Sequence, residues 1–366
     1  MTKLRDVCRF QSGGTPSRGT PVYFNGNIPW ITTVALNGDV IDENQAIEWI
    51  TDEAIAKSAA KIVPPHSIMI GTRVGIGKVA INSVPMSTSQ DIISLIDIDE
   101  NKWDKKFICH LITANKEHLT SQARGATIKG IKIETIADLV LPEISLKEQA
   151  RISEVIGKVD ALIHMHQQMA MNLEQLIKSR FIELFGDPEI NPKEWTRQRL
   201  DQICENLDSR RVPITSTDRK TGNYPYYGAS GIVDYVEDYI FDEDILLISE
   251  DGANLVMRST PIAFSVSGKV WVNNHAHVVR FESKATQKYI EICFALTDIS
   301  GSITGTAQPK LNQAKLNAMM FCVPPIELQK QFAAFVEQAD KSKLAVQKGL
   351  QELEILKKSL MQQYFG

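Results

Sequence analysis

The stretch LKEQARISEVIGKVDALIHMHQQMAMNLEQLIKSRFIELFG, Leu146 to Gly186, has a counterpart later in the chain. The second version, IELQKQFAAFVEQADKSKLAVQKGLQELEILKKSLMQQYFG, runs from Ile326 to Gly366 without a gap, at a constant offset of 180 residues (186 to 366). Ten of the 41 aligned positions are identical, among them Gln149/Gln329, Asp160/Asp340, Leu173/Leu353 and Phe185/Phe365. Average composition gives roughly two or three matches by chance, so the duplication is real.

Both copies have helical spacing. Ile152, Val155, Val159, Leu162, Met169, Leu173 and Leu176 recur at steps of three and four or their sums. Phe332, Phe335, Val346, Leu350, Leu353, Leu356 and Leu360 do the same in the second copy. A 40-residue helix reaches roughly 60 Å, and one with a narrow apolar stripe needs a partner helix. The natural partner is the other copy, so the spacing predicts an antiparallel coiled coil with these residues in its seam.

The likeness extends upstream. GATIKGI (Gly125–Ile131) lies over GTAQPKL (Gly305–Leu311), and LRDVC (Leu4–Cys8) resembles LDQIC (Leu200–Cys204). Between these anchors the halves diverge into short β-branched runs mixed with helical stretches, which predicts compact α+β domains. The organisation is a variable domain (1–145), a helix (146–187), a second variable domain (188–325) and a second helix (326–366). With antiparallel helices, the variable domains would sit at opposite ends about a pseudo-twofold axis. Such a molecule could read two short sequences on one duplex, with the gap set by helix length.

Composition sets limits. The chain has 366 residues, 43% of them apolar, enough for two cores. Five cysteines without a CxxC pair argue against a disulfide framework or structural zinc and for a reduced cytoplasmic setting. The sequence contains no long uncharged apolar run, so no membrane span is expected. The net charge of −4 counts against unaided nucleic-acid binding, because phosphate neutralisation supplies much of such affinity.

The chain resembles the specificity subunits of type I restriction–modification enzymes. The residues that carry the likeness are SGGTPSRGTPVYFNGNIPWIT (Ser12–Thr32), LVLPEISLKEQ (Leu139–Gln149), FCVPPIELQKQFAAFVEQADKSK (Phe321–Lys343) and GTAQPKLNQ (Gly305–Gln313). YPYYGASGIVDYVEDYIFDEDILLISEDGAN (Tyr224–Asn254) is similar to a target-recognition domain of that family. The resemblance implies two target-recognition domains, two helical spacers, double-stranded DNA as ligand, and two modification (adenine methyltransferase) subunits as partners. Restriction subunits would join in a further step. It also answers the charge objection, since the modification subunits can supply much of the phosphate contact. One departure is Trp195, five residues before Leu200; Met1 stands too close to Leu4 for an equivalent. The first domain is therefore expected to be trimmed, or to rely on a partner at that edge.

No catalytic residue, metal or cofactor is expected. NIPW (Asn27–Trp30) is similar to an adenine-methyltransferase motif, but Ile28 breaks it and no glycine-rich cofactor loop follows a strand. GTRVGIGK (Gly71–Lys78) imitates a phosphate loop with one residue too many and Val79 where Ser or Thr is needed. A hairpin turn or a DNA-facing loop fits it better. His275 and His277 share a strand face without a third ligand at metal spacing.

Base reading needs Arg, Lys, Asn, Gln, Ser or Thr on exposed loops. Candidates in the first domain are Thr15, Ser17, Arg18, Thr32, Thr33, Arg73, Lys78, Ser87, Thr88, Ser89, Gln90, Arg124 and Lys129. In the second they are Arg210, Arg211, Tyr226, Tyr227, Ser230, Asn254, Arg258, Asn274, His275, Gln308 and Lys310. The favoured clusters are 70–90, 122–130, 224–231, 250–258 and 305–311. The competing readings are a protein-binding coiled-coil scaffold and a self-contained methyltransferase or nuclease fragment.

Overall fold

In the computed structural model, which describes residues 1–37, 40–125 and 129–366, the chain divides into two compact units. The first comprises Met1–His166 and Gly349–Gly366, the second Gln167–Lys348.

The first unit contains strands β1 (Thr2–Lys3), β2 (Arg9–Ser12), β3 (Ile28–Ile31), β4 (Val40–Ile41), β5 (Glu48–Ile50) and β6 (Ile62–Val63). After helix α1 (Asp52–Lys57), which precedes β6, come β7 (Ile68–Gly71), β8 (Val79–Asn82), β9 (Met86–Thr88) and β10 (Ile92–Ile96). Helices α2 (Lys105–Ala114), α3 (Lys116–Ser121) and α4 (Ile133–Ala137) and strand β11 (Val140–Leu141) lead into α5, Leu146–Phe185. One sheet has the order β2-β10-β7-β8-β4, another β5-β3-β9-β6, and β1 pairs with β11. The runs IMIG and IISLI are buried along their whole length, because helix α2 covers one face of the larger sheet and the smaller sheet covers part of the other. Asp104 begins α2 by accepting from Phe107 N at 2.7 Å, which satisfies one of the free donors of the first turn.

The second unit repeats this plan. Its strands are β12 (Arg197–Arg199), β13 (Glu205–Asn206), β14 (Thr221–Gly228), β15 (Gly231–Val236), β16 (Phe241–Asp242) and β17 (Ile245–Ser249). They continue with β18 (Ala263–Val266), β19 (Lys269–Val272), β20 (Ala276–Arg280) and β21 (Met320–Cys322). Its helices are α6 (Leu200–Ile203), α7 (Asn254–Met257), α8 (Lys284–Leu296), α9 (Gln313–Ala318) and α10 (Ile326–Phe365). The sheet orders are β13-β20-β17-β18 and β15-β14-β19-β16, with β12 paired to β21. These are the first unit's orders, lacking an equivalent of β4. The parallel pair of the smaller sheet corresponds as well, β3 with β9 and β14 with β19, while the first unit's other parallel pair, β4 with β8, goes with the added strand.

The short sequence anchors now have a physical reason. In LRDVC, Leu4 N donates to Leu139 O and Cys8 Sγ to Leu4 O; in LDQIC, Leu200 N donates to Met319 O and Cys204 Sγ to Leu200 O. Leu4 and Leu200 are fully buried. Gln149 and Gln329, identical in the repeat, are buried near the helix starts. Gln149 Nε2 donates to Lys102 O and Ile144 O, and Gln329 Nε2 to Pro324 O at 2.7 Å.

Helices α5 and α10 pair antiparallel, and each unit shows it. In the first, Asp160 meets Lys357 at 2.5 Å, and His166 faces Gly349. In the second, Glu174 pairs with Lys343, and Phe332 packs edge-on against Phe181 and Phe185 at ring separations of 5.5 and 5.4 Å. Positions on one helix rise as those on the other fall. Of the seam expected from spacing, Ile152, Val159, Phe332 and Val346 are buried, and Val155, Leu173, Phe335, Leu350, Leu353 and Leu360 are half-buried. Leu162, Met169, Leu176 and Leu356 are a correction, since they remain 41, 45, 50 and 45% exposed. A two-helix contact covers one narrow stripe, so apolar spacing alone overcounts it. Ile156, Ile177, Phe181, Phe185, Val336 and Ala339 are buried there as well. Among the described residues, no helix is long and apolar enough to cross a membrane.

Candidate nucleic-acid interface

In each unit three or four loops are stitched into one patch by backbone hydrogen bonds, and the stitches correspond one by one. Ser89 N donates to Ile31 O at 2.9 Å; Asn273 N donates to Tyr227 O at 3.0 Å. Thr72 N donates to Asp91 O at 2.9 Å; Glu250 N donates to His275 O at 2.8 Å. Ile131 N donates to Thr72 O at 2.9 Å; Leu311 N donates to Glu250 O at 2.8 Å. Finally, Arg124 and Gly130 exchange two backbone bonds, as do Thr304 and Lys310. Backbone bonds tolerate any side chain, so this scaffold persists while the residues it displays change.

The displayed residues do change. Arg73, which occupies the place of Asp251, pairs with Asp91 at 3.3 Å; Asp251 pairs with His275 at 2.9 Å. Around the first patch stand exposed Lys78, Gln90, Arg124 and Lys129. Around the second stand exposed Ser230, Asn274, His275, Gln308 and Lys310. Part of the expected cluster 122–130, residues 126–128, lies outside the described residues.

Other candidates do not present free side chains. Thr33, Ser87, Thr88, Ser89 and Tyr226 are buried, contrary to the expectation of exposed loops. Strand order explains Ser87, Thr88 and Tyr226, because β9 lies between β3 and β6 and β14 between β15 and β19; Thr33 and Ser89 flank the inner strands β3 and β9. Tyr226 instead accepts a hydrogen bond from Ile214 N at 3.0 Å, beneath the Arg219 guanidinium. Thr15 donates to Gln90 and is half-buried, as are Thr32 and Tyr227. Arg18 grips Glu48 through both terminal guanidinium nitrogens and covers Phe24 and Trp30, while exposed Ser17 lies beside it in sequence. Arg210 bonds Glu243 and Ile240 O over the Phe241 ring. Asn254 ties down Ser259 and Thr260, and Arg258 caps the end of α8 through Phe294 O and Thr297 O. These contacts employ the donors structurally.

Arg211 is a further correction: expected on an exposed loop, it lies largely buried in a charge network beneath the second patch that the sequence did not reveal. His277 Nδ1 lies 2.6 Å from Asp208 Oδ2 and its Nε2 2.7 Å from Leu311 O. Both ring nitrogens are thus engaged, one by a carboxylate and one by a backbone carbonyl. Arg211 Nη1 donates to Glu250 at 2.6 Å and to Ala276 O, and Lys310 meets Glu250 at 3.1 Å. Burial pushes the Glu250 carboxyl up, but the Arg211 bond, His277 and Lys310 together hold it below its ordinary value. Burial likewise opposes Asp208, where His277, the Val278 amide and Arg211 outweigh it. The HAH pair in the sequence was the available signal. Its alternation puts both rings on one strand face, yet His277 is wholly buried and His275 half exposed at the strand's end.

GTRVGIGK is a turn closed by its own backbone bonds and tied to its neighbours through Thr72 and Arg73. Gly71 N donates to Lys78 O, Gly77 N to Gly71 O and Lys78 N to Gly75 O, and Gly75 and Gly77 take φ values of +70° and +75°. Amides committed to these carbonyls do not form a phosphate cradle. Ile28–Trp30 of NIPW lie in strand β3 with Trp30 buried, its Nε1 donating to Gly14 O at 3.1 Å. Among the described residues, no group of three or more His, Cys, Asp or Glu could hold a metal ion.

The chain thus combines a duplicated α+β domain, an antiparallel helix pair and a loop patch in each unit on a common backbone scaffold. The family model for the type I restriction modification DNA specificity domain matches residues 1–175 and 192–355, and the chain belongs to that family. It is 24% identical over 397 aligned residues to the type I restriction enzyme MjaIX specificity subunit of Methanocaldococcus jannaschii, covering 99% of this chain and 91% of that one. It is 25% identical over 361 residues to the EcoprrI specificity subunit of Escherichia coli, covering 92% and 86%. The fold is also that of the S subunit of a type I restriction–modification system from M. genitalium, with a TM-score of 0.61, 16% identity and coverage of 100% and 95%.

Proposed function

We propose that this specificity subunit reads a bipartite, asymmetric DNA target, one half-site per unit, with α5 and α10 acting as the spacer that fixes the gap. Methyl transfer and cleavage belong to other chains: two modification subunits, and restriction subunits that join them. The observation that carries this reading is the duplicated hydrogen-bonded scaffold that displays different side chains in its two copies. Two readers of unlike half-sites need a shared frame and unlike contacts. Net charge −4 fits a chain that contributes local base contacts while modification subunits supply much of the phosphate contact.

The test is binding of duplex DNA by the chain with and without its modification subunit. Sequence-selective, salt-dependent binding is expected with the subunit present. With S-adenosylmethionine, the chain alone should transfer no methyl group; transfer by the chain alone would overturn the division of labour.

A further inference from the structure

Gln90 and Asn274 occupy one position of the duplicated scaffold. Each is bracketed by matched backbone bonds, Ser89 to Ile31 and Asn273 to Tyr227 on one side, Asp91 to Thr72 and His275 to Glu250 on the other. This bracketing makes the equivalence independent of the diverged sequence. Around them the chemistry changes: Arg73 stands where Asp251 stands, and Asp91 where His275 stands. At this position it does not change. Both residues are exposed primary carboxamides on the turn between β9 and β10 or between β19 and β20.

The two carboxamides have different immediate surroundings. Gln90 Oε1 accepts from the Thr15 hydroxyl, which fixes its side chain. Among the described residues, no hydrogen bond holds the Asn274 side chain. In the major groove a carboxamide donates to N7 and accepts from N6 of adenine, a pairing that other bases do not offer in the same way. Unlike neighbours would read unlike bases, while a shared group in the same place would read a shared base.

We infer that Gln90 and Asn274 are specificity-determining residues that each read an adenine, at matching positions of the two half-sites. The inference rests on the two-reader function proposed above and assigns one base contact to each reader.

The test uses the chain assembled with its modification subunit and duplexes carrying the recognised target. Gln90→Ala should reduce discrimination at one adenine of one half-site about tenfold to a hundredfold, and Asn274→Ala should do so in the other half-site only. Replacing that adenine with 7-deazaadenine removes N7. It should weaken the unmodified complex comparably and add little further loss to the variant that already lacks the carboxamide. A merely structural role would not produce that coupling. The inference is overturned if either variant weakens all sequences uniformly, alters both half-sites, leaves discrimination intact, or loses affinity additively with the 7-deaza base. If the unmodified complex has no sequence preference, the two-reader function itself fails; if it has one that both variants retain, only this assignment fails.

Discussion

Arg73 of the first unit and Asp251 of the second stand at the same place in a common backbone frame with opposite charge. Arg73 pairs with Asp91 at 3.3 Å and Asp251 with His275 at 2.9 Å, so the polarity of the surface pair is inverted between the units. An inversion at a fixed position changes the contacts a duplex would meet while leaving the strands beneath unaltered.

The first patch separates a paired from an unpaired cation. Lys78 is exposed and, among the described residues, has no carboxylate at ion-pair distance, whereas Arg73 is tied to Asp91. Lys78→Ala should lower DNA affinity similarly for all sequences and reduce the slope of log affinity against log salt by about 0.9. Arg73→Ala should change that slope less. Titrations at several salt concentrations measure both.

The network under the second patch should contribute to that unit's stability. His277→Ala would remove one buried partner each from Asp208 and Leu311 O, while Val278 N and Arg211 still hold Asp208, and should cost about 1 to 3 kcal/mol, measured by denaturant unfolding. His277→Gln should recover part of it.

The same network contributes to the loss of stability in acid. Asp208 and Glu250 are held below their ordinary values of 3.8 and 4.5, so each contributes stability that is present above those values. That contribution is lost as pH falls through the lowered folded values. Asp208→Asn should therefore show a shallower loss of stability from about pH 4 downward than the unmodified chain.

The helix seam can be tested by contrast. Phe332 is fully buried between Phe181 and Phe185, and Phe332→Ala should cost about 3 to 5 kcal/mol. Leu356 is 45% exposed, and Leu356→Ala should stay within about 0.5 kcal/mol. Similar costs would contradict the seam described above.

The helices were legible because burial of one stripe leaves a three-four spacing in the residues themselves, as at Ile152, Val159, Phe332 and Val346. The same signal overcounted Leu162 and Met169, since spacing records which residues are apolar rather than how wide the contact is. The shared interior of the units was not legible. Its repeat lies in backbone bonds such as Thr72 to Asp91 and Glu250 to His275, which place no demand on side-chain identity. Candidate readers fared unevenly for a related reason. Exposure of Gln90 and Asn274 follows from turn position, whereas Ser87 and Thr88 look equally polar in sequence but lie in an inner strand. Arg258 and Arg210 are donors whose carbonyl partners come from distant segments, Phe294 and Ile240, which local sequence does not reveal.

The most direct measurement is methylome sequencing of cells that carry the complete system, before and after residues 190–320 are exchanged for the matching segment of another specificity subunit. The account predicts a new second half-site, with the first half-site and the gap between them unchanged. A change in the first half-site or in the gap would contradict it.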